Sequence, residues 1–243
     1  MKLWDFNVDV APRFIDYHYA SINDPAYTMT QVYKHRERTP TIEKQSNSIP
    51  LEYKIQEENE FEKTLLNRHS WPMPFLNNQH INLELIAKFS QLAFIGNDKT
   101  NRNYPSGGAQ YLVNIHYLFN NNRVDQDVIE VGTISRLNID NQTLIGERFV
   151  DWNIIRKAFI AQAGAATAQF AIVLSVDLMK ISEKYTDISY KLVQQEAGHI
   201  GQNIQLVAEY LNIKSLPLGG FYDNAMNKLI GNSKTTLYTF LLG

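Results

Sequence analysis

The stretch EKYTDISYKLVQQEAGHIGQNIQLVAEYL, residues 183–211, decides how the rest of the chain is read. Val193, Ala197, Ile200, Ile204, Val207 and Leu211 follow one another at spacings of four, three, four, three and four. That is the period of a helix with one apolar face, so the spacing predicts a long helix lying along a core. One position earlier runs Leu192, Glu196, His199, Asn203, Leu206 and Tyr210, with three polar residues in the middle of an otherwise apolar row. Polar groups on a half-buried row need partners. They either hydrogen-bond to one another and to neighbouring backbone, or they border a bound cofactor. Lys184 and Tyr185 stand side by side just ahead of the helix.

The bulk of the chain sets the frame for that helix. With 243 residues, 44% of them apolar, it is long enough to close a sizeable core as a soluble globular protein. A net charge of −2 and a pI near 6.3 leave no basic excess, which argues against nucleic acid as a partner. The absence of cysteine removes disulfides, thiolate metal sites and cysteine nucleophiles together. The opening MKLWDFNVDVAPRF has no apolar targeting core, and no run approaches the ~20 apolar residues of a membrane span. The expectation is a cytoplasmic protein without a membrane partner.

Organisation shifts along the sequence. Residues 1–55 are polar and interrupted by Pro25, Pro40 and Pro50, the cluster KHRER (34–38) and SNS (46–48), which reads as an irregular arm holding one short helix. Residues 56–243 read as one α+β domain, without an internal repeat or linker. EENEFEKTLLNRHS (57–70) and NLELIAKFSQLAFIG (82–96) have helical periodicity, the second ending at Gly96. YLVNIHYLF (111–119), VIEVGTISRLNI (128–139), FAIVLSVDL (170–178) and TTLYTFLLG (235–243) read as strands, and WNIIRKAFIAQAG (152–164) as a helix.

Several chemistries lose support on spacing. Glu196-x-x-His199 is half of a carboxylate-bridged di-iron pattern, but the second copy such a site needs is missing. The six histidines show no metal-ligand spacing, so no metal is expected. The G-x-S-x-G elbow, the G-x-G-x-x-G fingerprint and the phosphate loop G-x-x-x-x-G-K-[ST] are also absent. Two glycine-bearing turns remain. NRNYPSGGAQY (101–111) sets Pro105, Ser106, Gly107 and Gly108 just before a strand, and PLGGF (217–221) follows the long helix. Glycines there let backbone come close to a flat ligand and offer its N–H groups, although either pair alone is also an ordinary turn.

Taken in order, RHS (68–70), RNYPSGGAQY (102–111), KY (184–185), EAGHIGQN (196–203), PLGGF (217–221) and the terminal LYTFLLG resemble the flavin-dependent nitroreductase superfamily. The likeness is to its SagB-type branch, the azoline dehydrogenases that oxidise thiazoline and oxazoline rings in ribosomally made peptides, including bacteriocins. It runs from about Phe61 to Gly243, and YHYAS (17–21) resembles the branch's leading arm. The resemblance implies a nitroreductase-like fold with a mixed central sheet flanked by helices. It also implies a homodimer with FMN at two interface sites, and a modified precursor peptide and a cyclodehydratase as partners.

Matched position by position, Arg68 and Ser70 would hold the FMN phosphate, with Arg102 helping because the basic tail of simpler nitroreductases is missing after Gly243. Pro105, Ser106, Gly107 and Gly108 would line the flavin ring, and Gly219 and Gly220 would offer backbone near its redox edge. Asn203 would border the same site, and with His199 it fits a supporting role better than direct contact. Lys184 and Tyr185 would be the proton-handling pair, since turning an azoline into an azole removes a ring proton as well as a hydride. Read without the resemblance, a Lys-Tyr dipeptide is a common surface pair. The branch reads KYG-x-R-x-YR where this chain reads KYTDISYK, so Thr186, Ile188 and Lys191 depart from it. The resemblance thus implies an FMN-dependent azoline dehydrogenase. The alternatives from the residues are an NAD(P)H-dependent flavin oxidoreductase acting on small acceptors and a noncatalytic partner in a peptide-modifying complex.

Overall fold

FAIVLSV is the run on which the sheet is built. The structure, a computed structural model, describes residues 14–25, 51, 53, 58–76, 79–97 and 102–243. In chain order its strands are β1 (Asn114–Phe119), β2 (Ile134–Asn138), β3 (Thr143–Arg148), β4 (Phe170–Val176), β5 (Ser215–Leu218) and β6 (Thr235–Leu242). They form one sheet in the order β3-β2-β1-β4-β6-β5. β4 lies inside it between β1 and β6, and all seven of its residues are buried. A strand covered on both faces has no solvent side to encode, so its sequence is apolar without alternation. The expected α+β class holds. The sheet expected to be mixed is instead antiparallel in all five pairings.

The two faces of the sheet carry separate cores. Phe170, Ile172, Leu174 and Val176 point to a cluster that includes Phe89, Tyr117, Ile200, Ile204 and Phe240. Ala171 and Val173 point to a second, with Trp152, Ile155, Phe159, Met226 and Ile230. Among the described residues the α-helices are α1 (Phe14–Ala20), α2 (Glu60–Asn67), α3 (Leu83–Ser90), α4 (Trp152–Ile155), α5 (Gln162–Ala165), α6 (Leu178–Tyr185), α7 (Ile188–Tyr210) and α8 (Asp223–Ile230). α7 is the long helix of the opening stretch. It buries Val193, Ala197, Ile200 and Ile204 on the first face, and each large aliphatic side chain contributes about 1.5–3 kcal/mol there. Gly201 lets it come close to β6, because a Cβ at that position would meet the Phe240 ring at 2.8 Å.

Three local features depart from a simple pattern. The segment 152–164, expected as one helix, is broken into α4, a single turn at Arg156–Ala158 and α5. Phe159 between them is extended and bridges to Phe221, since burying its ring against β5's exit stabilises more than continuing the helix would. α3 widens into a π-type turn at Gln91–Ile95 and stops at Gly96, whose φ is 84°. β3, which the sequence did not single out, is the mostly exposed edge strand completing a hairpin with β2. At the N-terminus, α1 stacks Phe14 on Tyr190 of α7 at 5.3 Å. The cluster KHRER, SNS, Pro40 and Pro50 lie outside the described residues.

Candidate active site

The polar row of α7 fastens the glycine turn to the helix. Ser106 Oγ donates to Glu196 Oε2 at 2.6 Å and accepts from the Tyr111 N–H at 2.9 Å, while Glu196 Oε1 accepts from the Val113 N–H at 3.3 Å. Glu196 is 2% exposed, and burial pushes its carboxyl above the usual range against the pull of these bonds. His199 Nδ1 donates to the Pro105 carbonyl at 3.2 Å. Asn203 donates to the carbonyls of Ala93 at 3.1 Å and Asn103 at 2.7 Å. Asn103 Nδ2 in turn donates to the carbonyls of Gln91 and Leu92 in the π-type turn, the first of which also accepts from the Gly96 N–H. All three polar residues of the row therefore bond the 103–113 segment or its neighbour, and Asn203 is a fastener of the loop.

The same turn meets the Lys184-Tyr185 pair. Gly108 has φ 61°, and a Cβ added there would collide with the Tyr185 hydroxyl. Gly107 is pressed on Leu192, whose side chain a Cβ would meet at 3.0 Å. Gly108 is thus favoured by its backbone as well as by the packing, while a side chain at 107 would have to push Leu192 aside by a few tenths of an ångström. Ser106, Gly107, Tyr185, Ser189 and Glu196 line one small pocket beneath the turn. Lys184 is exposed, with its Nζ 5.1 Å from the centre of the Tyr185 ring. α6 ends at Thr186 with φ 51°, a backbone that favours glycine, which is the residue the azoline branch carries there.

A second group forms around Arg68, toward the C-terminal end of α7. Arg68 donates to Gln205 Oε1 at 3.0 Å, and Ser70 beside it is exposed. Trp71 continues this segment, bonded through its N–H to the Ser215 carbonyl at the start of β5. Its indole Nε1 is buried and has no partner among the described residues. Lys214 Nζ lies 3.3 Å from the centre of the Trp71 ring. Lys214 also exchanges two backbone hydrogen bonds with Gly243. A guanidinium, a hydroxyl, an ammonium and an unpaired indole N–H in one neighbourhood suit an anion with several oxygens. Trp71 and Lys214 were not picked out from the sequence, because no spacing links residues more than 140 positions apart.

Arg102 does not join this group. It lies over the Tyr111 ring at 4.3 Å and reaches Tyr104 Oη at 3.1 Å and Asp140 at 3.5 Å. These contacts place it with the glycine turn, whereas Arg68 contacts Gln205. Tyr104 itself is 2% exposed, and burial pushes its hydroxyl up to about 12.

Gly219 and Gly220 follow β5. A Cβ at Gly219 would meet nothing within 4 Å, so Gly219 faces open space, while one at Gly220 would meet the Ile160 side chain at 3.7 Å. The Gly219 carbonyl accepts from Phe221 N–H and Asn23 Nδ2, both at 3.2 Å, and the Gly220 carbonyl accepts from Ile160 N–H at 2.9 Å. Their own N–H groups have no partner among the described residues. Elsewhere, His116 lies between Ser175 Oγ at 2.9 Å and Glu147 Oε2 at 3.2 Å. That connectivity resembles a hydrolytic triad, but Ser175 and His116 are both 0% exposed and no substrate reaches them. Among the described residues no helix is long and apolar enough to cross a membrane.

Comparison with known proteins agrees with this fold. A family model described as the nitroreductase family matches residues 65–243. A protein of Methanocaldococcus jannaschii named as a nitroreductase is 27% identical over 73 residues, 30% of this chain and 37% of that protein. The match thus spans little more than a third of that relative. The Escherichia coli microcin synthetase complex McbBCD with truncated pro-MccB17 bound contains a chain that superposes with a TM-score of 0.74 at 18% identity, covering 95% of this chain and 91% of that one. The NADPH:FMN oxidoreductase of Vibrio harveyi, complexed with NAD+, gives 0.50 at 16% identity over 76% of this chain and 68% of that one. At such identities the superpositions establish fold alone. The family match, covering most of the chain, carries the assignment: the chain belongs to the nitroreductase family and has the fold of its flavin oxidoreductases.

Proposed function

We propose that the protein is an FMN-dependent azoline dehydrogenase, oxidising thiazoline or oxazoline rings in a ribosomally made peptide to thiazole or oxazole. The observation that carries this reading is the seating of the Tyr185 hydroxyl on Gly108, which puts the Lys184-Tyr185 pair against the turn that would line the flavin. The residues fit FMN. Arg68, Ser70, Lys214 and the unpaired Trp71 N–H form a donor set for a phosphate dianion. Gly219 and Gly220 have N–H groups without a partner among the described residues, beside the open space at Gly219, and these would serve the ring.

FMN, when bound, accepts the hydride equivalent. The chain's own residues would do the rest. Glu196 and Ser106 hold the turn in register, and Tyr185 would receive or polarise the ring proton with Lys184 beside it. A lysine serves as a base only when its charge is disfavoured by burial or a neighbouring cation. Lys184 is exposed in the isolated chain, so the peptide or a second subunit would supply that cover.

A homodimer belongs to the same proposal. α2 has no buried residue yet carries Phe61, Leu65 and Leu66, which are 69%, 42% and 56% exposed. Gly198 on α7 faces open space, although an exposed helical glycine costs about 1 kcal/mol relative to alanine. Arg68 contacts Gln205, and the glycine turn contacts Leu192 and Glu196. At 1.5 Å per residue these lie about 14–20 Å apart along α7. Two copies would bring one chain's phosphate group to the other's glycine turn. The peptide and cyclodehydratase would be partners, as the likeness to a chain of a peptide-bound microcin synthetase supports.

The test is substitution of the pair. Lys184→Ala and Tyr185→Phe should retain fold and FMN but lose azole formation on a cyclised peptide, by ~10² to 10⁴ in rate. Native rates in both variants would remove the assignment. A wild type that oxidises no azoline but turns over NADPH briskly would be a flavin reductase instead.

A further inference from the structure

The described part of the N-terminal segment touches two places that the functional reading needs. At one end, Phe14 stacks on Tyr190 and His18 Nδ1 lies 3.3 Å from the Tyr190 hydroxyl. Tyr190 is on α7, five residues beyond Tyr185. At the other end, Asn23 and Asp223 clasp each other. The Asn23 N–H donates to Asp223 Oδ2 at 2.7 Å, and the Asp223 N–H reaches the Asn23 carbonyl at 3.4 Å. Asp223 is 6% exposed and opens α8. From this anchor the Asn23 side chain donates through Nδ2 to the Gly219 carbonyl at 3.2 Å.

That last bond sets a direction. The Gly219–Gly220 peptide is planar and trans, so its N–H points away from its carbonyl. With the carbonyl turned to Asn23, the Gly220 N–H points away from the N-terminal segment. It has no partner among the described residues. A Gly-Gly peptide with free backbone torsions would otherwise turn easily, since neither residue has a side chain to hold it. The Gly220 carbonyl is fixed separately by the Ile160 N–H, and the preceding peptide plane is held through the Gly219 carbonyl by the Phe221 N–H from within the turn and by Asn23 from outside it.

We infer that Asn23, anchored by Asp223, is a positioning residue that orients the Gly219–Gly220 peptide so that its N–H faces the redox edge of the flavin. The inference rests on the FMN reading above. A fixed donor at that edge stabilises the negative charge gained on reduction, so its loss lowers the flavin's reduction potential.

Two measurements test this together. In the FMN-free protein, Asn23→Ala should speed hydrogen exchange of the bonded amides of Phe221 and Tyr222 by tenfold or more, leaving β4 and β6 protected. In the FMN-loaded protein, the same substitution should lower the potential by about 30 mV, equivalent to a tenfold change for a two-electron couple. Asp223→Ala should reproduce both effects, and Asp223→Asn, which keeps an acceptor for the Asn23 N–H, should restore both. Faster exchange with an unchanged potential would make the clasp a merely structural tie and overturn the inference. Unchanged exchange would overturn it at the first step. If the wild type takes up no FMN, the functional reading falls and takes the flavin half of the inference with it, while the exchange result still decides whether Asn23 holds the turn.

Discussion

Replacing Glu196 by alanine should unfasten the glycine turn from α7 and cost the protein a large part of its stability. The carboxylate is 2% exposed and serves two donors, Ser106 Oγ at 2.6 Å and the Val113 N–H at 3.3 Å. Leaving a buried donor without its acceptor costs about 1–3 kcal/mol, so the two together amount to about 2–6 kcal/mol, against a total stability of about 5–15 kcal/mol. A loss of 3 kcal/mol lowers the melting temperature of a chain this size by about 6–12 °C. Glu196→Gln should cost about half as much, because its amide oxygen can still accept from Ser106 while its NH₂ confronts the Val113 N–H. The pH dependence has a definite sign. Burial raises the carboxyl above 4.5 in the folded protein, so the fold binds a proton more tightly than the unfolded chain does. The contribution of Glu196 is then fully present below about pH 4.5 and is lost as pH rises through the folded value. Urea denaturation at several pH values should show wild type gaining on Glu196→Gln as pH falls toward 4.5. A loss below 1 kcal/mol in Glu196→Ala would refute the assigned hydrogen bonds, and a gap between wild type and Glu196→Gln that widens with rising pH would refute the raised carboxyl.

Gly108→Ala puts a side chain at φ 61°, at about 1–2 kcal/mol, and displaces the Tyr185 hydroxyl, so azole formation should fall at least as far as in Tyr185→Phe while circular dichroism is retained. Arg68→Ala and Lys214→Ala should each weaken FMN binding, measured by quenching of flavin fluorescence, by roughly tenfold or more, since a charge-assisted hydrogen bond contributes about 1.5–3 kcal/mol. Arg102→Ala should leave that affinity within about twofold if each phosphate is held by Arg68 and Lys214 alone. Phe61→Arg, on the face of α2 with no buried residue, should turn a dimer into a monomer in analytical ultracentrifugation.

Much of this was legible in the sequence where one element carried its own signal. The apolar stripe of α7 was readable because a helix buried on one face repeats its pattern for 23 residues, and β4 because a doubly covered strand is a short unbroken apolar run. The glycine turn was readable as a turn, but its reason was not. That reason is the Tyr185 hydroxyl, 77 positions further along. Glu196 stood out as a polar residue in an apolar row, while its partner Ser106, 90 positions away, followed from no spacing. The helix expected over 152–164 failed because Phe159 is pulled out of it by Phe221, a tertiary contact that overrides local propensity. Arg102, expected to help Arg68 at the phosphate, rests in this structure on the Tyr111 ring and reaches Asp140.

The central claim is that bound FMN takes electrons from an azoline ring with the help of this chain's own residues. It is tested most directly by a single-turnover experiment without oxygen, mixing the FMN-loaded protein with a cyclised peptide and following flavin absorbance and peptide mass together. The account predicts that the flavin bleaches in proportion to rings that each lose the two hydrogens separating azoline from azole, and that Tyr185→Phe binds FMN but does not bleach on this timescale. Flavin that stays oxidised in the presence of the peptide yet bleaches at once with NADPH would contradict it.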